Sequence, residues 1–138
     1  MIRAGVVGVG YLGRFHAQKY ASLADAQLVA VADPNRDALA ALERELRVAG
    51  VEDHRQLIGR VDAVSIVTPT PTHHAIAKDF LEAGVDVLLE KPITVTPREG
   101  AELVAIARRS GRILQVGHLE RFNAVIQAVT PRLSAPRF

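Results

Sequence analysis

The amino-acid sequence predicts an α/β domain with a doubly wound parallel sheet. Three observations support this prediction: segments typical of strands and helices alternate along the chain, most strand-like segments are nearly continuous apolar runs, and the segment nearest the N-terminus runs into a glycine-rich loop. Continuous apolar runs suit strands that helices cover on both faces. Repeated strand–helix units imply right-handed crossovers, and after such a loop the expected strand order is 3-2-1-4-5-6.

Six strand-like segments carry this prediction. We expect strands over residues 2–7, 26–33, 48–51, 62–68, 85–89 and 113–116. Helical patterns separate and follow them, over residues 14–23, 36–46, 53–58, 73–83, 97–110 and 120–129. In the second of these helices Leu39, Leu42 and Leu46 fall on one face, as expected for a helix that packs on a sheet.

Two of the predicted helices have recognisable starts. Thr72 can cap the helix over residues 73–83 with its hydroxyl. Thr96, followed by Pro97 and Glu99, predicts a capping box for the next helix.

The composition fits one domain with an aliphatic core. The chain has 138 residues, of which 49% are hydrophobic but only 4% aromatic. The net charge of +2 reflects a small basic surplus spread along the chain, so we expect no nucleic-acid partner. The absence of cysteine excludes disulfides, thiolate catalysis and cysteine metal sites. No apolar run reaches transmembrane length, so we expect no membrane partner, no signal peptide and a cytoplasmic location.

The segment Gly8-x-Gly10-x-x-Gly13, called the glycine loop below, is the first candidate binding element. Gly8 allows a tight turn out of the strand, Gly10 lacks the Cβ that would hold a pyrophosphate away, and Gly13 lets the next helix pack closely. Tyr11 and Leu12 complete the loop, at the positive end of that helix. The pattern predicts dinucleotide binding, although such a motif is weak without supporting context.

Asp33 supplies part of that context, since it lies twenty positions after Gly13 and directly before Pro34. A carboxylate at the end of the second strand can accept hydrogen bonds from both hydroxyls of an adenosine ribose, and its charge would repel a 2′-phosphate. We therefore expect NAD as the cofactor. Two alternatives stay open: Asp33 can simply begin a turn, and the nearby Arg36 could accommodate the phosphate of NADP.

Loops at the other predicted strand ends should meet the glycine loop at one edge of the sheet. One of them contains Thr68, Pro69 and Thr70, with His73 at the start of the following helix. We expect these four residues to lie beside the cofactor. His118 follows a later strand and could either reach the cleft or pack inside the domain.

Glu90-Lys91-Pro92 is the most distinctive of these strand-end loops. The Lys91 ammonium could hydrogen-bond a substrate hydroxyl and help to move its proton, which makes Lys91 the candidate catalytic residue. Glu90 could pair with that ammonium or with a cofactor hydroxyl. Taken alone, a lysine in a loop is usually a solvated side chain.

The adjacent His73 and His74 suggest a metal at first sight. Consecutive residues at a helix start point in different directions, and no cysteine or acid with ligand spacing accompanies them. We therefore expect no metal site. His16 and His54 are interpreted as structural or surface residues.

Together these motifs resemble the N-terminal half of the Gfo/Idh/MocA oxidoreductase family. The resemblance covers essentially the whole chain and rests on the glycine loop with His16, on Asp33-Pro34, on Thr68-Pro69 with His73, and on Glu90-Lys91-Pro92. The segment 116–123 is most similar to members that act on sugar nucleotides, such as UDP-N-acetylglucosamine 3-dehydrogenases.

The resemblance implies reversible oxidation of a secondary alcohol on a sugar, sugar nucleotide or cyclitol, with the hydride passing to NAD(P). It implies that Lys91 is the catalytic or substrate-orienting group. Members of the family carry a second α/β domain, which forms the substrate site and supplies a proton-accepting histidine. We therefore expect a dinucleotide-binding domain over residues 1–119 and the beginning of a truncated second domain over 120–138, so that the chain binds cofactor with little or no turnover.

Two other functions stay open. The chain could be a non-catalytic nucleotide-sensing or partner-binding module, or a different oxidoreductase such as a homoserine-dehydrogenase-like enzyme, although Glu90-Lys91-Pro92 favours the first family. We also expect a homo-oligomer, because the apolar residues Phe122, Val125, Ile126 and Val129 would be exposed in a truncated chain.

Overall fold

The computed structural model describes residues 1–133 and has a six-stranded sheet at its centre. The strands are β1 (Ile2–Val7), β2 (Ala26–Ala32), β3 (Ala49–Val51), β4 (Ala63–Ile66), β5 (Asp86–Leu89) and β6 (Leu114–Val116). Every pairing is parallel and the order is β3-β2-β1-β4-β5-β6, which confirms the predicted topology. β1 therefore lies inside the sheet, between β2 and β4.

Helices connect these strands. In the described part of the chain the α-helices are α1 (Tyr11–Ser22), α2 (Arg36–Leu46), α3 (Thr70–Glu82), α4 (Pro97–Ser110) and α5 (Ala124–Leu133). Two short 3-10 helices, His54–Leu57 and Leu119–Phe122, follow β3 and β6. Within residues 1–133 no helix has the length and apolar character that crossing a bilayer requires.

Mostly aliphatic side chains form a core on each face of the sheet. On one face Val31 of β2 packs in a cluster with Leu42 of α2. On the other face Leu89 of β5 clusters with Phe80 of α3 and Leu103 of α4, all three fully buried. Burial of one such side chain stabilises the fold by about 1.5–3 kcal/mol, so both helix layers are held mainly by apolar contact.

The helix starts show one confirmed prediction and one error. In α4 the Thr96 hydroxyl oxygen accepts from the Glu99 N–H at 3.3 Å while a Glu99 carboxylate oxygen accepts from the Thr96 N–H at 3.0 Å, as predicted for a capping box. The predicted Thr72 cap is wrong, because α3 already begins at Thr70. The Thr72 hydroxyl lies inside the first turn and donates to the Pro69 carbonyl at 2.8 Å.

The predicted helix over residues 120–129 is interrupted at Asn123. The 3-10 helix Leu119–Phe122 ends there, and α5 begins at the next residue. The Asn123 side-chain oxygen accepts from the Val125 N–H at 2.9 Å, which is how an asparagine starts a helix. The end of the predicted segment 120–138, residues 134–138, lies outside the described residues.

Candidate cofactor-binding site

The glycine loop connects β1 directly to α1, which begins at Tyr11, three residues earlier than predicted. Gly8 has a φ of +84°, in the left-handed region that favours glycine. A Cβ on Gly8 would lie 2.5 Å from the Val67 carbonyl oxygen, and a Cβ on Gly13 would overlap the Gly8 carbonyl oxygen. The close packing of the loop therefore requires glycine at both positions.

The N-terminus of α1 is well suited to bind an anion. Gly10 precedes the helix, no side chain caps it, and its first turn contains no acidic residue. No atom lies within 4 Å of a Cβ built on Gly10, so the loop backbone faces open space there. Tyr11 and Leu12 are 81% and 50% exposed. The N–H groups of the first turn have no intrahelical partner, and with the helix dipole they can receive phosphate oxygens.

Asp33 lies at the end of β2, where backbone groups orient its carboxylate. Its two oxygens accept from the Val9 N–H and from the Asn35 N–H, each at 2.8 Å. Its own N–H donates to the Val51 carbonyl at 3.1 Å, which fastens it to β3. A carboxylate offers about four acceptor positions, so Asp33 keeps capacity for the hydroxyls of a ligand.

A cleft of about 560 Å³ lies at the carboxyl edge of the sheet. Six of the predicted cofactor residues line it: Gly8, Gly10, Asp33, Pro34, Thr68 and Pro69. Ile76 of α3 adds apolar surface to the same wall. The other predicted residues, namely Tyr11, Leu12, Gly13, Thr70, His73, Glu90 and Lys91, lie outside this wall. The cleft therefore joins the glycine loop to Asp33, as a dinucleotide site requires.

Three consecutive polar residues of the cleft, Glu52, Asp53 and His54, were not predicted as binding residues. Glu52 and His54 are the two considered next. His54, interpreted from the sequence as a structural or surface residue, has its Nε2 atom 3.0 Å from an Asp79 carboxylate oxygen and its ring 5.8 Å from that of Phe80. Both follow the carboxyl end of β3, which is where parallel strands place ligand-binding residues. That signal alone was weak, because neither residue belongs to a recognisable motif.

His73 connects two of the strand-end loops. It is 1% exposed, and its Nε2 and Nδ1 atoms lie 2.8 Å and 3.0 Å from the carbonyl oxygens of Thr68 and Pro92. Both partners are acceptors, so the ring donates to both only when each nitrogen carries a proton. His74 lies instead against Glu102, at 3.1 Å. Within residues 1–133 no three potential ligands are grouped so that they could hold a metal.

Glu90 is buried, and its partners in the described part of the chain are a histidine ring and a backbone N–H rather than the Lys91 ammonium. One carboxylate oxygen lies 3.5 Å from the His16 Nε2 atom, and the other accepts from the Lys91 backbone N–H at 3.1 Å. Burial lowers the pKa of His16, and the neighbouring Glu90 carboxylate partly offsets that effect. His16 is thus a structural partner of Glu90, which agrees with its interpretation from the sequence as a structural or surface residue.

Lys91 is exposed and lines a second hollow of about 630 Å³. Gly117 and His118 line the same hollow. His118 is exposed, so it is not packed inside the domain, but it lines this hollow and not the cleft. The hollow follows the carboxyl ends of β5 and β6, at the same edge of the sheet as the cleft. An exposed ammonium there can donate hydrogen bonds to a ligand hydroxyl.

The strand order, the uncapped helix behind the glycine loop and the oriented acid at the end of β2 define a dinucleotide-binding Rossmann domain. The family GFO_IDH_MocA, described as an oxidoreductase family with an NAD-binding Rossmann fold, matches residues 2–118. The chain belongs to this family, which confirms the resemblance seen in its motifs, and it is an NAD-binding domain.

Individual relatives agree with this assignment. The chain is 44% identical over 138 residues to UDP-N-acetylglucosamine 3-dehydrogenase of Acidithiobacillus ferrooxidans, covering 99% of this chain and 44% of that protein. It is 33% identical to scyllo-inositol 2-dehydrogenase (NAD(+)) of Bacillus subtilis, covering 97% of this chain and 40% of the relative.

Solved structures show the same fold. The structure of the A. ferrooxidans enzyme superposes with a TM-score of 0.88 over 95% of this chain and 43% of the other. Scyllo-inositol dehydrogenase of Lactobacillus casei, solved with bound NAD(H) and scyllo-inositol, has a TM-score of 0.90 at 28% identity, over 97% of this chain and 41% of the other. The chain thus spans less than half the length of these relatives.

Proposed function

We propose that this chain is the cofactor-binding part of a dehydrogenase that transfers a hydride between a nicotinamide cofactor and a secondary alcohol of a sugar, sugar nucleotide or cyclitol. The observation that carries the proposal is the cleft in which the oriented Asp33 carboxylate and the open N-terminus of α1 meet. The names of the relatives supply the class of substrate.

Each wall of the cleft has a proposed role. Backbone N–H groups after Gly10 would hold the pyrophosphate, and Asp33 would accept from the ribose hydroxyls. The residues that we propose to bind the cofactor are Gly8, Gly10, Tyr11, Leu12, Gly13, Asp33, Pro34, Thr68, Pro69, Thr70, His73, Glu90 and Lys91. When bound, the nicotinamide supplies the acceptor for the hydride.

Two of these residues would support the site indirectly, by holding the backbone of neighbouring loop residues. His73 is buried against the Thr68 carbonyl, so it would hold the loop that carries Thr68 and Pro69. Glu90 accepts from the Lys91 N–H, so it would orient the backbone at Lys91.

Lys91 is the residue that we propose to take part in the chemistry. Its exposed ammonium would donate a hydrogen bond to the substrate hydroxyl oxygen and stabilise the negative charge that develops there as the proton passes to a general base. The side chain lines the hollow beside His118, outside the cleft that holds Asp33. This arrangement separates the place proposed for the adenosine from the place proposed for the alcohol.

Binding can be measured directly on this chain. Titration with NADH, followed by calorimetry and by cofactor fluorescence, should show saturable binding to the wild type and at least about tenfold weaker binding to Asp33→Ala. Glu82→Gln, at the far end of α3, serves as the control and should bind like wild type. Absence of any heat or fluorescence change at millimolar NADH would refute the proposal.

Turnover separates the dehydrogenase from a non-catalytic nucleotide-sensing or partner-binding module. The exposed Lys91 beside the hollow favours the enzyme. Sugars, sugar nucleotides and cyclitols should be screened for cofactor reduction, with this chain expected to turn over little or not at all. Any activity should disappear in Lys91→Ala; activity that survived this substitution would remove Lys91 from its proposed role.

We also propose that the chain self-associates in the cytoplasm through its C-terminal apolar surface. Phe122 and Val125 are 71% and 69% exposed, and Leu119 is 63% exposed. Exposed apolar surface of this kind tends to be covered by association. Sedimentation at increasing concentration tests the oligomer, and fractionation of cells tests the location.

A further inference from the structure

The carboxyl end of β3 brings a second acid beside Asp33. Glu52 follows Val51, whose carbonyl oxygen accepts from the Asp33 N–H at 3.1 Å. Glu52 lines the cleft together with Asp33 and Pro34, and it also lines the neighbouring groove over α2. Its position next to Asp33 is therefore fixed by the pairing of β2 with β3.

Glu52 forms an ion pair with Arg36, the first residue of α2. A Glu52 carboxylate oxygen lies 2.5 Å from the Nη2 atom of Arg36. Arg36 is the residue through which a ribose 2′-phosphate could be accommodated, because an arginine near this position offers a planar pair of donors to phosphate. While it pairs with Glu52, part of that donor set is occupied and its charge is neutralised locally.

Two neighbouring charged groups, Arg55 and Glu43, have other partners. Arg55 lies 3.1 Å from an Asp79 carboxylate oxygen and 3.9 Å from one of Asp53. Glu43, the other acid of the groove, accepts from the Gly50 N–H at 2.8 Å. Among the ion pairs of the described residues, the partner of Arg36 is Glu52.

We infer that Glu52 is a second determinant of cofactor choice, which favours NAD over NADP by holding Arg36 and by adding its own negative charge beside Asp33. The inference rests on the proposed binding of a dinucleotide in this cleft. A 2′-phosphate placed next to Asp33 would meet the charge of Glu52 and find Arg36 already paired. Removing the Glu52 charge should reverse both effects.

The test compares NADH with NADPH in matched variants of this chain. Dissociation constants for both cofactors are measured for wild type, Glu52→Gln, Arg36→Gln and the double variant. Glu82→Gln is the control, since it removes an equal charge 3.8 Å from an arginine, Arg109, at the end of α3 away from the cleft. Arg36 and Glu52 are 80% and 51% exposed, so the substitutions should leave the fold intact.

Glu52→Gln should improve NADPH binding relative to NADH by roughly tenfold, which is the effect of one freed guanidinium charge, that of Arg36, acting on a phosphate several ångströms away. The double variant should lose most of that gain, because Arg36 then no longer receives the phosphate. Glu82→Gln should leave the ratio unchanged.

Two results would overturn the inference: a ratio in Glu52→Gln within about twofold of wild type, or a gain that persists undiminished in the double variant. Wild-type chain that binds neither cofactor would instead refute the proposed function and the inference with it. If wild type binds NADH but the ratio of NADPH to NADH affinity is the same in Glu52→Gln as in wild type, only the role of Glu52 is refuted.

Discussion

The Asp33 carboxylate accepts a hydrogen bond from the Val9 N–H at 2.8 Å, across 24 positions of sequence. The acid at the end of β2 is therefore attached to the glycine loop at the end of β1. A charge-assisted bond of this kind fixes the loop and the carboxylate relative to each other before any ligand arrives. One side chain thus contributes both to the shape of the loop and to the proposed recognition of the ribose.

Substitution of Asp33 should weaken stability and cofactor binding together. In Asp33→Ala the N–H groups of Val9 and Asn35 lose their acceptor, so we expect a loss of about 1–3 kcal/mol in the free energy of unfolding. Denaturant melts and NADH titrations measure the two effects. Asp37→Asn, which removes a nearby acid on α2, is the control. Unaltered NADH affinity in Asp33→Ala would contradict the role of this carboxylate.

Substitution by alanine should affect stability at Gly13 and cofactor affinity at Gly10. Gly13→Ala should cost about 3 kcal/mol or more in stability, because its Cβ would overlap the Gly8 carbonyl oxygen. Gly10→Ala should fold normally, since no atom lies within 4 Å of the added Cβ. It should nevertheless bind NADH at least about tenfold more weakly, because the methyl group obstructs the approach of the phosphates. Thermal melts paired with titrations check this; equal stability of the two variants would refute the packing argument.

Acidification below neutrality should destabilise the domain through His16. Burial lowers the pKa of this ring from its ordinary value of 6.5, so the unfolded chain takes up the proton at a higher pH than the folded one. The stabilisation is complete above pH 6.5 and is lost as the pH falls towards the lowered folded pKa. In His16→Gln the slope of stability against pH in this range should become shallower. Identical slopes in wild type and variant would show that His16 does not titrate as its burial implies.

A second acid-sensitive contact joins Arg3, near the start of β1, to Asp62, directly before β4. The Arg3 guanidinium and backbone N–H lower the pKa of Asp62 from 3.8 to about 2. The contribution of this pair is present above pH 3.8 and is lost as the pH falls through about 2. Asp62→Asn and Arg3→Gln should both flatten the stability curve over this interval, measured by denaturant melts from pH 2 to 5. A curve unchanged in both variants would exclude the pair as its cause.

Local patterns made much of the fold predictable. The glycine loop, the position of Asp33 and the Thr96 capping box depend on residues that lie close in sequence or at a characteristic spacing. The strand order followed from the alternation of apolar runs with helices. Cofactor binding by the predicted site residues, both in the cleft wall and outside it, stays a prediction.

Other features depend on contacts that no local pattern records. The pairing of His16 with Glu90 joins residues 74 positions apart, and it forms only because β1 and β5 lie on either side of β4. Glu52 and His54 escaped prediction although the strand before them was expected to end at residue 51, because neither residue belongs to a recognisable motif. The error at Asn123 has a different cause, since a side-chain hydrogen bond to the backbone outweighs a continuous helical pattern.

The interior position of β1 has a consequence for folding on the ribosome. β1 is synthesised before both of its neighbours, and β2 reaches it first, pairing from Ile2 with Ala26 onwards. Its other edge is completed only by β4, whose Ile66 pairs with Val7. During the intervening synthesis the strand that leads into the glycine loop has an unprotected hydrogen-bonding edge, the kind of edge through which nascent chains associate wrongly. The edge of β1 that β4 covers therefore stays open to such association until β4 leaves the exit tunnel.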